Sequence, residues 1–291
     1  MTNPVDERET RNAIFAAKEA VQNAGGIPIL SKEDALKRDF GLDIPTSLVP
    51  IPSLGRIYPE THPLHMKDNV EIRGMTTREE DILMSKALIR KGTVISELIK
   101  SCMIDQRVDV SSLIGGDRNA LMVAVRILGY GSQYDGNMVC PACEVKNNIS
   151  VDLSDLPVKE LGTEPVEVGS NRFSFKLPMT NKTVEFKLLT GREEEEIMAT
   201  MEAKKKRGIH NDNAVSTQLL FSILSIEGVT DRNKISNFIS VMPARDSNAL
   251  RRYMDKIEPG VEMKFDFTCN SCGHTEVMPL PLGPTFFWPN T

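Results

Sequence analysis

The sequence predicts an α+β fold in which one unit, strand–helices–cysteine knuckle, occurs twice. Three observations predict it. VEIRGMTTREEDILM at 70–84 and VEFKLLTGREEEEIM at 184–198 share a strand that runs into a Thr-x-x-Glu helix start, 114 positions apart. DRNALMVAVRILG at 117–129 and DSNALRRYMDKIE at 246–258 match at an offset of 129. Two C-x-x-C knuckles, CPAC at 140–143 and CNSC at 269–272, repeat at that same offset without a gap. Single short matches arise by chance; several in the same order point to internal duplication.

The elements follow in order. Residues 1–50 stand apart. DERETRNAIFAAKEAVQNAGG reads as a helix ending at Gly25–Gly26, with Ile14, Ala17 and Val21 forming a narrow apolar stripe. After it, residues 27–60 carry five prolines and no sustained period, which reads as an extended arm. The arm is either a partly disordered terminus or a segment that orders on a partner; in the second case Ile14 and Val21 are the contacts. The first repeat is placed at 51–160 and the second at 161–291.

Each repeat begins with a strand. Thr76 with Glu79, and Thr190 with Glu193, then fit the capping box. Further helices follow, and the last one in each repeat begins near an aspartate, Asp117 or Asp246, suited to the N-cap. Leu121, Ala124, Val125 and Leu128 trace one face of that helix in the first repeat. Leu250, Tyr253, Met254 and Ile257 trace it in the second. Val261, Met263, Phe265 and Phe267 alternate with polar residues as a strand enters the second knuckle, and Ile149, Val151 and Leu153 alternate leaving the first. Between the repeats, 165–190 reads as a meander turning at Gly169–Asn171 and Thr180–Asn181.

Composition narrows the class. The chain has 291 residues, 40% hydrophobic and 26% charged, with a formal net charge of −5. That is ordinary soluble composition with no basic stripe, so nucleic acid is a disfavoured partner. No apolar run is long enough to span a membrane. The first residues lack a basic stretch followed by an apolar core, so no signal peptide is expected. In a reducing cytoplasm, spaced cysteines read as metal ligands rather than disulfides.

Cys140, Cys143, Cys269 and Cys272 can complete one tetrahedral thiolate shell if the two copies fold face to face. The long separation is then a consequence of duplication. Zinc is the expected ion, with a structural role, because four thiolates leave no position open to water. Iron fits the same geometry, and the sequence does not separate the two. Four buried free cysteines and a redox dithiol are the alternatives; strands flank both knuckles, whereas a redox cysteine needs a helix N-terminus. Cys102 falls on an expected helix and reads as core. The four histidines form no metal motif, and no phosphate loop, nucleophile elbow or carboxylate pair is present, so no enzyme is expected. The end of the chain carries Phe286, Phe287 and Trp288. These aromatics either dock on their own domain or anchor a partner.

PSLGRIYPE at 52–60, TTREEDILMSKALIRKGT at 76–93, GDRNALMVAVRILGYGSQY at 116–134, both knuckles, MPARDSNALRRYMDKIEPGV at 242–261 and LGPTFFWP at 282–289 together resemble the baseplate hub protein family of T-even-like, contractile-tailed bacteriophages. The resemblance implies a non-enzymatic structural or assembly component of the tail baseplate or hub. Its partners would be other baseplate or hub proteins, met in the host cytoplasm during assembly, and it either joins the virion tail baseplate or acts in assembly alone. It leaves open whether the chain stays in the particle. The competing reading is a zinc-ribbon module for nucleic acid or a transcription complex. Such a module should carry several basic or aromatic residues near the knuckles; Lys146 and Lys264 stand there beside acidic neighbours.

Overall fold

A computed structural model describes residues 41, 43–206, 214–280 and 286–287. The expectations placed on Ile14, Val21 and Trp288 lie outside them. The chain divides into two units, 1–44 and 45–291; the second is described here. It mixes helices with small antiparallel sheets, and one contiguous apolar core runs through it.

Strand β1 (Thr46–Pro50) pairs with β2 (Asn69–Arg73), Val49 opposite Val70. The stretch read from sequence as part of an extended arm therefore holds a sheet strand. Its prolines, Pro45 and Pro50, sit at the ends of the strand, where a missing donor is tolerated. The connection at 51–68 is not loose either. Ile51, Ile57, Tyr58 and Leu64 from it are buried in the core.

Helix α1 (Thr77–Met84) starts where the sequence places it. The Glu79 carboxylate reaches back to the Thr76 amide at 2.8 Å and hydroxyl at 2.6 Å, and Arg73 pairs with it at 2.7 Å. Burial opposes the Glu79 charge, yet hydrogen bonds from Arg73, Ser101 and Thr76 outweigh it and hold the carboxyl at about 2. After α2 (Lys86–Lys91) and α3 (Val94–Cys102), the 16-residue α4 (Gly115–Tyr130) packs Leu121 and Val125 into the core. Cys102 is fully buried in α3, as core. The first hairpin, β3 (Gln133–Val139) with β4 (Lys146–Asp152), carries the first knuckle at its tip.

Past the short β5 (Val158–Lys159), β6 (Phe173–Lys176) and β7 (Thr183–Phe186) form the expected hairpin, with Asn181 at φ 55° in its turn. Helix α5 (Gly191–Lys206) begins with the same arrangement as α1: Glu193 accepts from the Thr190 amide and hydroxyl and pairs with Lys187. Helix α6 (Ala214–Ser222) runs straight into β8 (Ile223–Ile226), which pairs with β7 and completes a three-stranded sheet. Helices α7 (Arg232–Val241) and α8 (Ala244–Ile257), then β9 (Gly260–Val261), lead to the second hairpin, β10 (Lys264–Thr268) with β11 (Thr275–Pro279).

Asp117 and Asp246 are not N-caps. Those positions belong to Ile114 and Pro243, and each aspartate is the third helical residue. Both carboxylates are buried and turned away from their own helix. Asp117 accepts from the Ser53 amide (3.0 Å), the Ser53 hydroxyl (2.6 Å) and the Tyr58 hydroxyl (2.6 Å), in the β1–β2 connection. Asp246 accepts from the Met179 amide (2.7 Å), the Thr180 amide (3.0 Å) and the Thr180 hydroxyl (2.8 Å), in the β6–β7 connection. Each therefore ties the loop of a hairpin to the first turn of a helix more than sixty residues downstream.

Phe286 and Phe287 are both fully buried against their own chain, which corrects their expected use as partner anchors: neither ring is free to enter a partner's pocket. Phe286 lies 5.6 Å from the Tyr134 ring, and its carbonyl accepts from Arg126 Nε at 3.0 Å. Arg126 is itself fully buried and spends its other nitrogens on the carbonyls of Gly131 and Gln133. The segment after the second knuckle thus packs on the α4–β3 junction. The segment after the first packs reciprocally on the α8–β10 junction: β5 pairs with β9, and the Glu262 amide donates to the Pro157 carbonyl.

Burial pushes Asp117 up to about 6, outweighing the hydrogen bonds from Ser53 and Tyr58 that favour the charged form. A carboxyl raised in the fold stabilises below its unfolded value, and that contribution disappears as pH rises through about 6, a swing on the order of 3 kcal/mol. Urea unfolding of the Asp117→Asn variant should therefore lack the decline between about pH 4 and 6 that this group imposes on the parent. Identical pH profiles for the two proteins would show that Asp117 does not titrate there.

Candidate metal centre

Each knuckle is a hairpin tip closed by the same backbone bonds. The Cys140 amide donates to the Val145 carbonyl at 3.0 Å, and the Glu144 amide to the Cys140 carbonyl at 2.9 Å. The Cys269 amide donates to the His274 carbonyl at 2.9 Å, and the Gly273 amide to the Cys269 carbonyl at 3.0 Å. Such a turn needs a left-handed residue after the second cysteine. Gly273 supplies it at φ 70°; in the first knuckle Glu144 adopts φ 58° without a glycine's freedom.

The two tips meet. The sulfurs of Cys140, Cys143, Cys269 and Cys272 all lie within 4.8 Å of one another. Cys140 Sγ is 3.8 Å from Cys272 Sγ, and Cys143 Sγ is 3.6 Å from Cys269 Sγ. Zinc–thiolate bonds of about 2.3 Å in a tetrahedron require sulfurs about 3.8 Å apart. The four residues expected from sequence are therefore brought together at a spacing that could hold a metal ion. Cys140 and Cys269 are buried, Cys143 is half-buried and Cys272 is exposed.

Local dipoles prepare the site for thiolates. The amides of Cys272 and then Ser271 point at Cys269 and hold its thiol down at about 6. At Cys143 the Val145 amide acts in the same direction, but burial and the three neighbouring sulfurs outweigh it and push the thiol up to about 12. Four sulfurs at this distance cannot all ionise alone, so a cation is the natural complement. With four sulfur donors and no further ligand position, such an ion would organise the fold rather than activate water.

Asn147 is the site residue the sequence reading missed. It is buried, its side-chain amide donates to the Val145 carbonyl at 2.9 Å and lies 3.5 Å from Cys269 Sγ, and its carbonyl oxygen accepts from the Asn270 amide at 2.9 Å. It thus bonds the tip of one knuckle to the other. The available signal was its register: Asn147 shares the inward face of β4 with Ile149, an unusual place for an amide. His274 contributes only its carbonyl to the knuckle; its ring lies 3.3 Å from Glu276. Lys146 and Lys264 are exposed on their strands, with Glu144 and Asp266 close in sequence.

A family model described as T4 bacteriophage base plate protein matches residues 56–288. The chain belongs to this family. No curated protein and no solved structure matches it. As a T4-like phage baseplate protein it is a structural component of the tail by family, which points away from enzymatic work and towards other tail proteins as partners. Among the described residues no helix is long and apolar enough to cross a membrane.

A Cβ on Gly273 meets nothing within 4 Å, so substitution there tests backbone conformation alone. Gly273→Ala should cost about 1 kcal/mol, while Glu144→Gly should be neutral or stabilising because it relieves the same conformation. Denaturant titration of the two variants reads the difference; equal effects at both positions would contradict it.

Proposed function

We propose that this chain is a scaffold of the tail baseplate hub, built from two copies of one unit and stapled by a zinc ion on Cys140, Cys143, Cys269 and Cys272. The observation that carries the staple is the convergence of two knuckles that lie 129 positions apart in the chain. Duplication is supported by more than the cysteines. Arg73–Glu79 and Lys187–Glu193 are basic–acidic pairs in matching places, offset by 114. Asp117 and Asp246, offset by 129, each bind the loop of a hairpin. Leaving each knuckle, the chain crosses to the opposite repeat, to β9 in one case and to Arg126 in the other. On this reading 51–160 and 161–291 are repeats that share one core rather than separate domains.

The hub role is the narrower part of the proposal and rests on the motifs between Pro52 and Pro289 together with family membership. The scaffold catalyses no reaction; it presents surfaces to other tail proteins, assembling in the host cytoplasm and remaining in the baseplate. Ile14 and Val21 in the amino-terminal segment, and Trp288 next to the buried phenylalanines, are the proposed partner contacts.

Elemental analysis of the purified chain should give one zinc per molecule. Cys269→Ser should abolish binding and cost on the order of 5 kcal/mol or prevent folding, because metal binding at such sites is folding free energy. Cys102→Ser should leave the ion count unchanged, and a metal-free parent of undiminished stability would sink the staple. Mass spectrometry of purified particles should find the chain in the tail; its absence would make it an assembly factor.

A further inference from the structure

The staple has a second chemistry, an inference that rests on the metal-binding reading above. We propose that once the metal leaves, a peroxide converts the four thiols into two disulfides that run across the knuckles, Cys140 with Cys272 and Cys143 with Cys269.

Three observations carry it. The close sulfur pairs, at 3.8 and 3.6 Å, each join one knuckle to the other. The two pairs occupy equivalent positions: shifting Cys140 and Cys272 by the offset of 129 exchanges their roles with Cys269 and Cys143. Access is divided in the same way. Each pair combines a sheltered sulfur, Cys140 or Cys269, with one that solvent reaches, Cys272 or Cys143.

The chemistry balances with a peroxide as the oxidant. One thiol of the pair gives up its proton, its sulfur attacks one peroxide oxygen, the O–O bond breaks, and a sulfenic acid and, for hydrogen peroxide, one water form. The partner thiol then attacks the sulfenyl sulfur. The S–S bond forms, the S–O bond breaks, and the hydroxide leaves as water with the thiol's proton. Two thiols and one hydrogen peroxide give one disulfide and two waters, and two equivalents close both links. The metal departs with its charge unchanged. Disulfides within each knuckle would leave the two tips without a covalent link; disulfides across them keep the tips joined when the ion is gone.

The test uses the full chain. Metal content is measured first. The ion is then removed with a chelator, a small excess of hydrogen peroxide is added, and the protein is digested with trypsin without reductant. Cys140 and Cys143 lie in tryptic peptide 127–146, and Cys269 and Cys272 in 265–291. We expect these peptides to run as one species that reductant separates. Free thiols should fall from five to one, the survivor being Cys102. To assign the pairing, Cys143→Ser with Cys269→Ser retains Cys140 and Cys272, while Cys143→Ser with Cys272→Ser retains Cys140 and Cys269. The first should cross-link about tenfold faster than the second. Two separate peptides, each with an internal disulfide, or sulfinic acids in their place, would overturn the proposal on the parent protein alone, and so would equal rates in the two variants. Linked peptides from a chain that never held metal would remove the staple reading and leave this one standing. Bound metal followed by internal disulfides would do the reverse.

Discussion

Four sulfur atoms on two hairpin tips have to arrive within 4.8 Å of each other, and the rest of the fold is arranged so that they do. The cross-knuckle pairs are separated by 132 and 126 positions along the chain. Neither hairpin has neighbours of its own, since β3–β4 and β10–β11 are each two-stranded sheets, and isolated two-stranded sheets are marginal in water. What fixes them is their base, where α4 enters β3 and α8 approaches β10, and their tips, where Asn147 bonds across to Asn270. An ion held between the tips would close a frame whose other corners are already made of packed side chains.

Those corners are polar contacts placed inside the core. Asp117 satisfies backbone and hydroxyl donors of a loop that would otherwise be buried with an orphaned amide, and the buried Asp246 carboxylate does the same for donors at the more exposed β6–β7 turn. Arg126 does the complementary work for carbonyls, collecting those of Phe286, Gly131 and Gln133 around a fully buried guanidinium. Removing one member of such a set leaves its partners unpaired in a low-dielectric interior, which costs more than the hydrogen bond itself contributed. The positions of the hairpin loops relative to their helices are thus set by charge and hydrogen bonding as much as by apolar area.

The parts of this arrangement that were legible in the sequence are those written in short windows. The helix starts at Thr76 and Thr190, the apolar faces of α4 and α8 and the two knuckles each depend on residues within a few positions of one another. The convergence of the knuckles was legible only because their spacing matched that of a second motif pair. The rest depends on distant partners. The aspartates were read as caps because a helix start is the nearest place an aspartate can act, yet their donors lie 64 and 66 positions upstream at Ser53 and Thr180. Strand β8 follows α6 without a break in apolar character, so no change of period marks it. Strand β1 was hidden by its flanking prolines, and Asn147 by being a polar residue at the start of the apolar face that Ile149 and Val151 mark.

The reciprocal crossing of the two post-knuckle segments has a consequence during synthesis. When the first knuckle leaves the ribosome, the surface its following segment packs on, the α8–β10 junction, does not yet exist. The α4–β3 junction in turn waits for Phe286, which is made after the second knuckle. At a translation rate of roughly 5–20 residues per second, the two knuckles emerge on the order of ten seconds apart. For that interval the first repeat must stay unaggregated with two unsatisfied thiols and an uncovered Arg126. This packing therefore cannot be completed until Phe286 has been made, and a product truncated just before it would keep both knuckles but leave Arg126 without the carbonyl of Phe286.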